Sequence, residues 1–76
     1  MARDWTLTLV VERAKRRWSQ EDLSRACAEA NDDTWQMWRM LLWGFESGRS
    51  VPAPEQAAIL ERVLELPSAE GELATP

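Results

Sequence analysis

The sequence predicts an all-α protein, a compact domain of four to five helices, and three observations support that fold class. Apolar residues recur at helical spacing in four segments of the chain. Glycine, proline, asparagine and aspartate collect in the breaks between these segments. The 76 residues include five tryptophans, which supply apolar area for one small, dense core. We therefore expect one domain over residues 1–67 and a short, flexible acidic tail over residues 68–76.

The first helix is predicted to run from about residue 6 or 7 to residue 17. Its core-facing side is expected to carry the apolar residues that share one helical face: Leu7, Val10, Val11 and Ala14. The opening of this segment is rich in β-branched residues, which also fit an extended arm. Its start is therefore open to either structure.

The second helix is predicted to begin at Ser19, because a serine oxygen can accept from the free amides of the first turn. Glu21 and Asp22 follow, where negative charge is favourable near the positive end of the helix dipole. Spacing of i, i+3, i+4 and i+7 then predicts one buried stripe, made of Leu23, Ala26, Cys27 and Ala30. Cys27 is expected to be a small core residue rather than a reactive thiol.

The third helix is predicted to span residues 34–47, after a break at residues 31–33 whose side chains offer N-caps. Gly48 is expected to end it in a left-handed conformation. One face should be buried: Trp35, Trp38, Leu41, Leu42 and Phe45. The residues across or beside the opposite face are Gln36, Arg39, Met40, Trp43 and Ser47. Since this helix is apolar on nearly all sides, its outer face is the most informative surface of the chain.

The fourth helix is predicted to span about residues 55–66, with Pro54 well placed to start it and Pro67 to stop it. Its buried side is expected to hold Ala58 or Ile59, followed by Leu60, Val63 and Leu64. Its charged residues are expected to face water: Glu61, Arg62 and Glu65.

Composition narrows the class of protein. The chain has no histidine and one cysteine, so the usual zinc sites, histidine-based catalytic relays and an internal disulfide are not expected. We predict no metal, no cofactor and no enzymatic activity. No apolar stretch approaches the roughly 18 residues that span a bilayer, and a single cysteine fits a reducing compartment, so a cytoplasmic protein without a membrane partner is expected.

Charge is unevenly distributed along the chain. The net charge is −4, but residues 1–49 hold eight basic and eight acidic residues, whereas residues 50–76 hold one and five. The only basic cluster is at residues 13–17, which by itself fits a solvated helix face.

Two short segments resemble a known family. They are SQEDL at residues 19–23, preceded by Arg13 and Trp18, and FESGRSVP at residues 45–52, followed by a leucine-rich helix. In order and flanking apolar positions they are similar to the lambda-repressor-like (Xre/Cro) helix-turn-helix family, over about residues 7–66. The resemblance implies that Arg13 and Glu46 form an ion pair between the first and third helices. It also implies that the protein is a DNA-binding transcriptional regulator, such as a repressor.

The resemblance assigns the residues that would contact DNA. Gln20 matches a residue at the start of the second helix that meets a DNA phosphate, and Arg49 matches a backbone-contacting position beyond the glycine turn. The Arg16 and Arg17 end of the first helix would also hold phosphates. Bases would be contacted by the third helix through Gln36, Arg39, Met40, Trp43 and Gly44. The implied partner is a double-stranded operator, bound by a homodimer.

The third helix also departs from the family pattern. The chain carries several additional residues between residues 31 and 38, as an insertion or as an N-terminal lengthening of the third helix. Large apolar side chains at Met40 and Trp43 replace polar ones, which is typical of protein-binding surfaces. The alternative hypothesis is therefore a protein-interaction module on the same scaffold, binding a partner or a second copy through Met37, Met40 and Trp43.

Overall fold

A computed structural model describes residues 3–66, and in this part of the chain every regular element is an α-helix. The helices are α1 (Trp5–Arg16), α2 (Gln20–Asn31), α3 (Trp35–Glu46) and α4 (Pro54–Val63). The most extensive packing is between α2 and α3; α1 packs on α3, and α4 packs on α2. The predicted all-α class is thus confirmed, with four helices in the described range. Pro67 and the predicted tail at residues 68–76 lie outside it.

One core joins the four helices. Its buried apolar residues are Leu9, Leu23, Cys27, Ala28, Trp38, Leu42, Phe45, Ile59, Leu60 and Leu64. Trp5, Trp18 and Trp35 pack partly buried against this core. Four of the five tryptophans therefore contribute to it, as expected for a chain this short.

The predicted inner face of α1 is wrong. Leu7, Val10 and Val11 are exposed, and Leu9 is the residue that enters the core. Polar contacts set this rotation of the helix, because the hydroxyl of Thr6 donates to the carbonyl of Phe45 at 2.8 Å, and Arg13 binds Glu46 on the same side. The helix begins at Trp5, with the Asp4 carboxylate accepting from the Leu7 amide, so the opening is helical and not an extended arm.

Helix α2 begins as predicted. The Ser19 hydroxyl accepts from the Asp22 amide, and the Asp22 carboxylate accepts from the Ser19 amide. The predicted stripe is only partly right, since Leu23 and Cys27 are buried but Ala30 is exposed. Ser24 is buried in place of Ala30, and its hydroxyl is satisfied by donating to the Gln20 carbonyl at 2.6 Å.

The connection between α2 and α3 has three residues, 32–34. Residues 35–38 form the first turn of α3. The expected N-cap from residues 31–33 is not formed; Thr34 occupies the cap without a side-chain bond. The Asp33 carboxylate instead accepts from the Trp38 indole N–H at 3.1 Å and from the side-chain amide of Asn31.

The predicted buried face of α3 is right in part: Trp38, Leu42 and Phe45 are buried, whereas Trp35 and Leu41 are only partly buried. The end of α3 is as predicted, since Gly48 adopts a φ of 78°, a left-handed conformation that favours glycine.

Helix α4 begins at Pro54 but ends at Val63, three residues earlier than expected. Glu65 adopts a left-handed φ of 55°, and the Leu66 amide donates back to the Glu61 carbonyl, which closes the helix before Pro67. Glu61 was predicted to face water, but it is only partly exposed. Its carboxylate lies 3.8 Å from the Arg3 guanidinium. Among the described residues, no helix has the length and apolar character needed to cross a bilayer.

Candidate nucleic-acid interface

An open groove of about 610 Å³ runs along the outer side of α3. It is bounded by α3, the first residue of α2 and the turn that follows α3. The residues that line it are Gln20, Trp35, Gln36, Arg39, Met40, Trp43, Gly44 and Arg49. Three separate segments of the chain thus form one concave surface.

The groove brings together six of the eight side chains predicted to contact DNA. They are Gln20, Gln36, Arg39, Met40, Trp43 and Arg49, and Gly44 lies with them. Arg16 and Arg17 do not line it. Trp35 was missed, because it was assigned wholly to the core face. Its spacing of i, i+4 and i+8 with Arg39 and Trp43 is the signal that places all three along one side of α3.

The outer face of α3 combines large apolar side chains with a cation. Met40 is 77% exposed and Trp43 is 52% exposed, which is unusual for side chains of this size. Arg39 is exposed on the same side of α3, one turn before Trp43, and makes no hydrogen bond or ion pair with another residue in the range 3–66. The N–H groups of its guanidinium are therefore available for hydrogen bonds to a ligand.

The turn after α3 positions Arg49 against this face. The amides of Arg49 and Ser50 both donate to the Gly44 carbonyl, at 2.9 and 3.3 Å, so the chain folds back on the last turn of the helix. Gly44 permits this approach, because a Cβ there would lie 2.7 Å from the Ser50 hydroxyl. The Arg49 guanidinium consequently lies 4.8 Å from the centre of the Trp43 ring, in cation–π contact.

Glu46 links three helices behind the groove. Its carboxylate accepts from Arg13 Nε at 2.8 Å and from Arg13 Nη2 at 2.6 Å, so the predicted ion pair is present and bidentate. These bonds to Glu46 raise the pKa of Arg13 above its usual value. Glu46 also accepts from Gln20 Nε2 at 3.3 Å, which orients the side chain at the start of α2 toward α3.

Arg16 is held by contacts within the protein. It donates to the Glu12 carboxylate at 2.8 Å and to the Leu64 carbonyl at 2.8 Å, and it lies over the Trp18 ring. The bonds that the Glu12 carboxylate accepts from Arg16 and from Lys15 lower the pKa of Glu12. Arg16 thus joins α1 to the end of α4, which does not favour the predicted phosphate contact. Arg17 is exposed beyond the end of α1.

The groove has a positive electrostatic character within an acidic protein. Its charged lining residues, Arg39 and Arg49, are both cations, and no lining residue is acidic. Glu46 lies close by, but its charge is paired with Arg13. The net charge of −4 consequently does not describe this surface.

Cys27 is fully buried, and burial raises the pKa of its thiol to about 12, so the reactive thiolate is disfavoured. Within residues 3–66, no group of histidine, cysteine, aspartate and glutamate side chains is placed to hold a metal ion. No protein-family model, curated protein or solved structure matches the chain.

Proposed function

We propose that this protein is a DNA-binding transcriptional regulator with a lambda-repressor-like helix-turn-helix, in which α3 contacts bases in the major groove. The observation that carries this proposal is the shared groove: the start of α2, the outer face of α3 and Arg49 meet on one side of the molecule. A recognition helix flanked by phosphate contacts needs that arrangement.

Base contacts are assigned to the polar residues on the outer face of α3. Arg39 can donate two hydrogen bonds to the O6 and N7 atoms of guanine, and Gln36 can bond adenine in the same bidentate way. Met40 and Trp43 are placed beside them, where apolar groups contact the methyl group of thymine. The unpaired guanidinium of Arg39 makes it the principal specificity residue.

Phosphate contacts are assigned to the two flanks of α3. The Gln20 amide uses one N–H on Glu46, and its second N–H remains for a phosphate oxygen. The Asp22 amide is capped by the Ser19 hydroxyl, but the amides of Gln20 and Glu21 in the same turn lack intrahelical acceptors and add to this site. On the other flank, Arg49 is pre-positioned by its contact with Trp43, which lowers the entropy lost on binding.

The direct test is selection of bound sequences from a random pool of double-stranded DNA, at low and at physiological salt. We expect one sequence class to be enriched, with binding that weakens steeply as salt rises. If no sequence is enriched at either salt, or if affinity does not depend on salt, the proposal fails.

A second candidate, a protein-interaction module, is favoured by the strong exposure of Met40 and Trp43 beside a concave apolar wall. Such a groove fits an apolar helical segment of a partner protein. Selection from a library of amphipathic helical peptides tests this function. Enriched peptides whose binding is lost in Trp43→Glu but kept in Arg39→Ala would support it, and the absence of any enriched peptide would contradict it.

A further inference from the structure

An arginine is stacked on a tryptophan at each end of α3. At the C-terminal end, Arg49 lies 4.8 Å from the centre of the Trp43 ring, and at the N-terminal end, Arg25 of α2 lies 4.4 Å from the centre of the Trp35 ring. The two tryptophans are eight residues apart, which is about 12 Å along a helix axis. Both rings line the groove, so each end of the groove has an arginine beside it.

The contact with Trp35 holds Arg25 in place without using all of its hydrogen-bond donors. Trp35 packs against the core, so its ring is a firm support. Arg25 Nε donates to the Glu21 carboxylate at 3.0 Å, and within residues 3–66 its two terminal nitrogens make no hydrogen bond. A guanidinium contacts a ring through its flat face, whereas its N–H groups lie along the edge. The N–H groups of the terminal nitrogens are therefore available to a phosphate.

Arg25 is the only basic residue of α2. The exposed charged residues around it on this helix are acidic: Glu21, Asp22 and Glu29. Carboxylates repel an approaching phosphate, so this flank of α3 can accept the DNA backbone only at Arg25. The Arg25 side chain is 56% exposed, which leaves its edge accessible.

We propose that Arg25 binds a phosphate of one DNA strand, across the major groove from the phosphate of the other strand that Arg49 binds. The inference rests on the proposed function, to which it adds a phosphate contact on α2. The spacing of the two stacked pairs matches the major groove of B-DNA, which is about 12 Å wide. Arg39 lies midway between Trp35 and Trp43 in α3, where it faces the bases between the two bound phosphates.

The test measures which phosphates each arginine contacts. The probe is the duplex enriched by selection, prepared as a set in which one phosphate at a time is replaced by an uncharged methylphosphonate. We expect Arg25→Ala to bind the unmodified duplex about five- to tenfold more weakly, and one replacement that weakens the unsubstituted protein to have no further effect in this variant. In Arg49→Ala the replacement without further effect should lie on the opposite strand. Arg62→Ala, an exposed arginine of α4, is the matched control and should keep both sensitivities.

Two charge variants separate a positioned contact from general attraction. Arg25→Lys keeps the charge but loses the planar edge, so it should retain the salt dependence of binding and recover only part of the affinity. Glu21→Gln removes a neighbouring carboxylate and should strengthen binding by about twofold or more.

The outcomes distinguish this inference from the proposed function. If Arg25→Ala keeps the phosphate sensitivities of the unsubstituted protein, or if Arg25 and Arg49 act on the same strand, the inference is overturned while DNA binding stands. Full affinity in Arg25→Ala, or weaker binding in Glu21→Gln, would also contradict it. If no duplex is enriched, the proposed function fails and this inference fails with it.

Discussion

Arg13 donates from two nitrogens to the two carboxylate oxygens of Glu46, at 2.8 and 2.6 Å, across 33 residues of sequence. The Glu46 side chain is only 7% exposed, so this pair is shielded from water on its acidic side. The third Arg13 nitrogen, Nη1, donates to the Trp18 carbonyl at 2.9 Å. One guanidinium therefore fixes α1 to the end of α3 and to the turn before α2.

Substitution of Arg13 by methionine should lower the free energy of unfolding by about 2–3 kcal/mol, because it leaves a largely buried carboxylate without its main partner. Urea unfolding followed by circular dichroism measures this change. Lys15→Met is the matched control: Lys15 is 64% exposed, and its pair with Glu12 should contribute under about 0.5 kcal/mol. Similar losses for the two variants would show that the Arg13 pair has no special structural role.

The neighbours Arg16 and Arg17 should behave differently. Arg16→Ala removes bonds to Glu12 and to the Leu64 carbonyl, and should lower the free energy of unfolding by about 1–2 kcal/mol. Arg17→Ala should change it by less than about 0.5 kcal/mol, since its side chain is exposed. The same urea titration at low protein concentration measures both, and a larger loss for Arg17 would refute the role given to Arg16.

The raised pKa of the Cys27 thiol predicts that the protein loses stability at high pH. Its pKa is raised by burial from 9.0 to about 12, so the folded state keeps the thiol proton to a higher pH than the unfolded state does. The resulting stabilisation is complete below pH 9 and is lost as pH rises toward 12, by at most about 1.4 kcal/mol per pH unit. Unfolding free energies at several pH values above 9 measure it. A Cys27→Ala variant should show a shallower decline, and equal slopes would be evidence against the raised pKa.

The sequence predicted the elements that are determined by local signals. Ser19 and Asp22 form a capping box, and Gly48 ends α3, because caps depend on a few adjacent residues. The buried face of α3 was also predictable in part, since its buried side is continuously apolar. The Arg13–Glu46 pair was implied by the family resemblance and not by local pattern.

The rotation of α1 was not predictable from apolar spacing. Its apolar stripe is real but faces outward, because Thr6 and Arg13 bind the end of α3 from the opposite side. The role of Arg16 was missed for a related reason, since its acceptor, the Leu64 carbonyl, is 48 residues away. Long-range polar contacts of this kind leave no periodic signal in a single sequence.

The salt dependence of DNA binding should report the role of Arg49. In the Arg49→Ala variant we expect the slope of log affinity against log salt concentration to fall by about one, because one phosphate contact is lost. Arg62→Ala, an exposed arginine on α4 that does not line the groove, should leave the slope unchanged. Fluorescence anisotropy with labelled duplex measures both. If the two variants share one slope, Arg49 is not a phosphate contact.

The most direct measurement is the sequence preference of Arg39→Ala, obtained by repeating the selection from random DNA and titrating every single-base variant of the preferred site. We expect a loss of about 1–3 kcal/mol on the preferred site and a relaxed preference at one guanine position, with the other positions unchanged. Arg62→Ala should reproduce the unsubstituted protein. An Arg39→Ala protein that keeps the full preference at every position would contradict the assignment of α3 as the helix that contacts the bases.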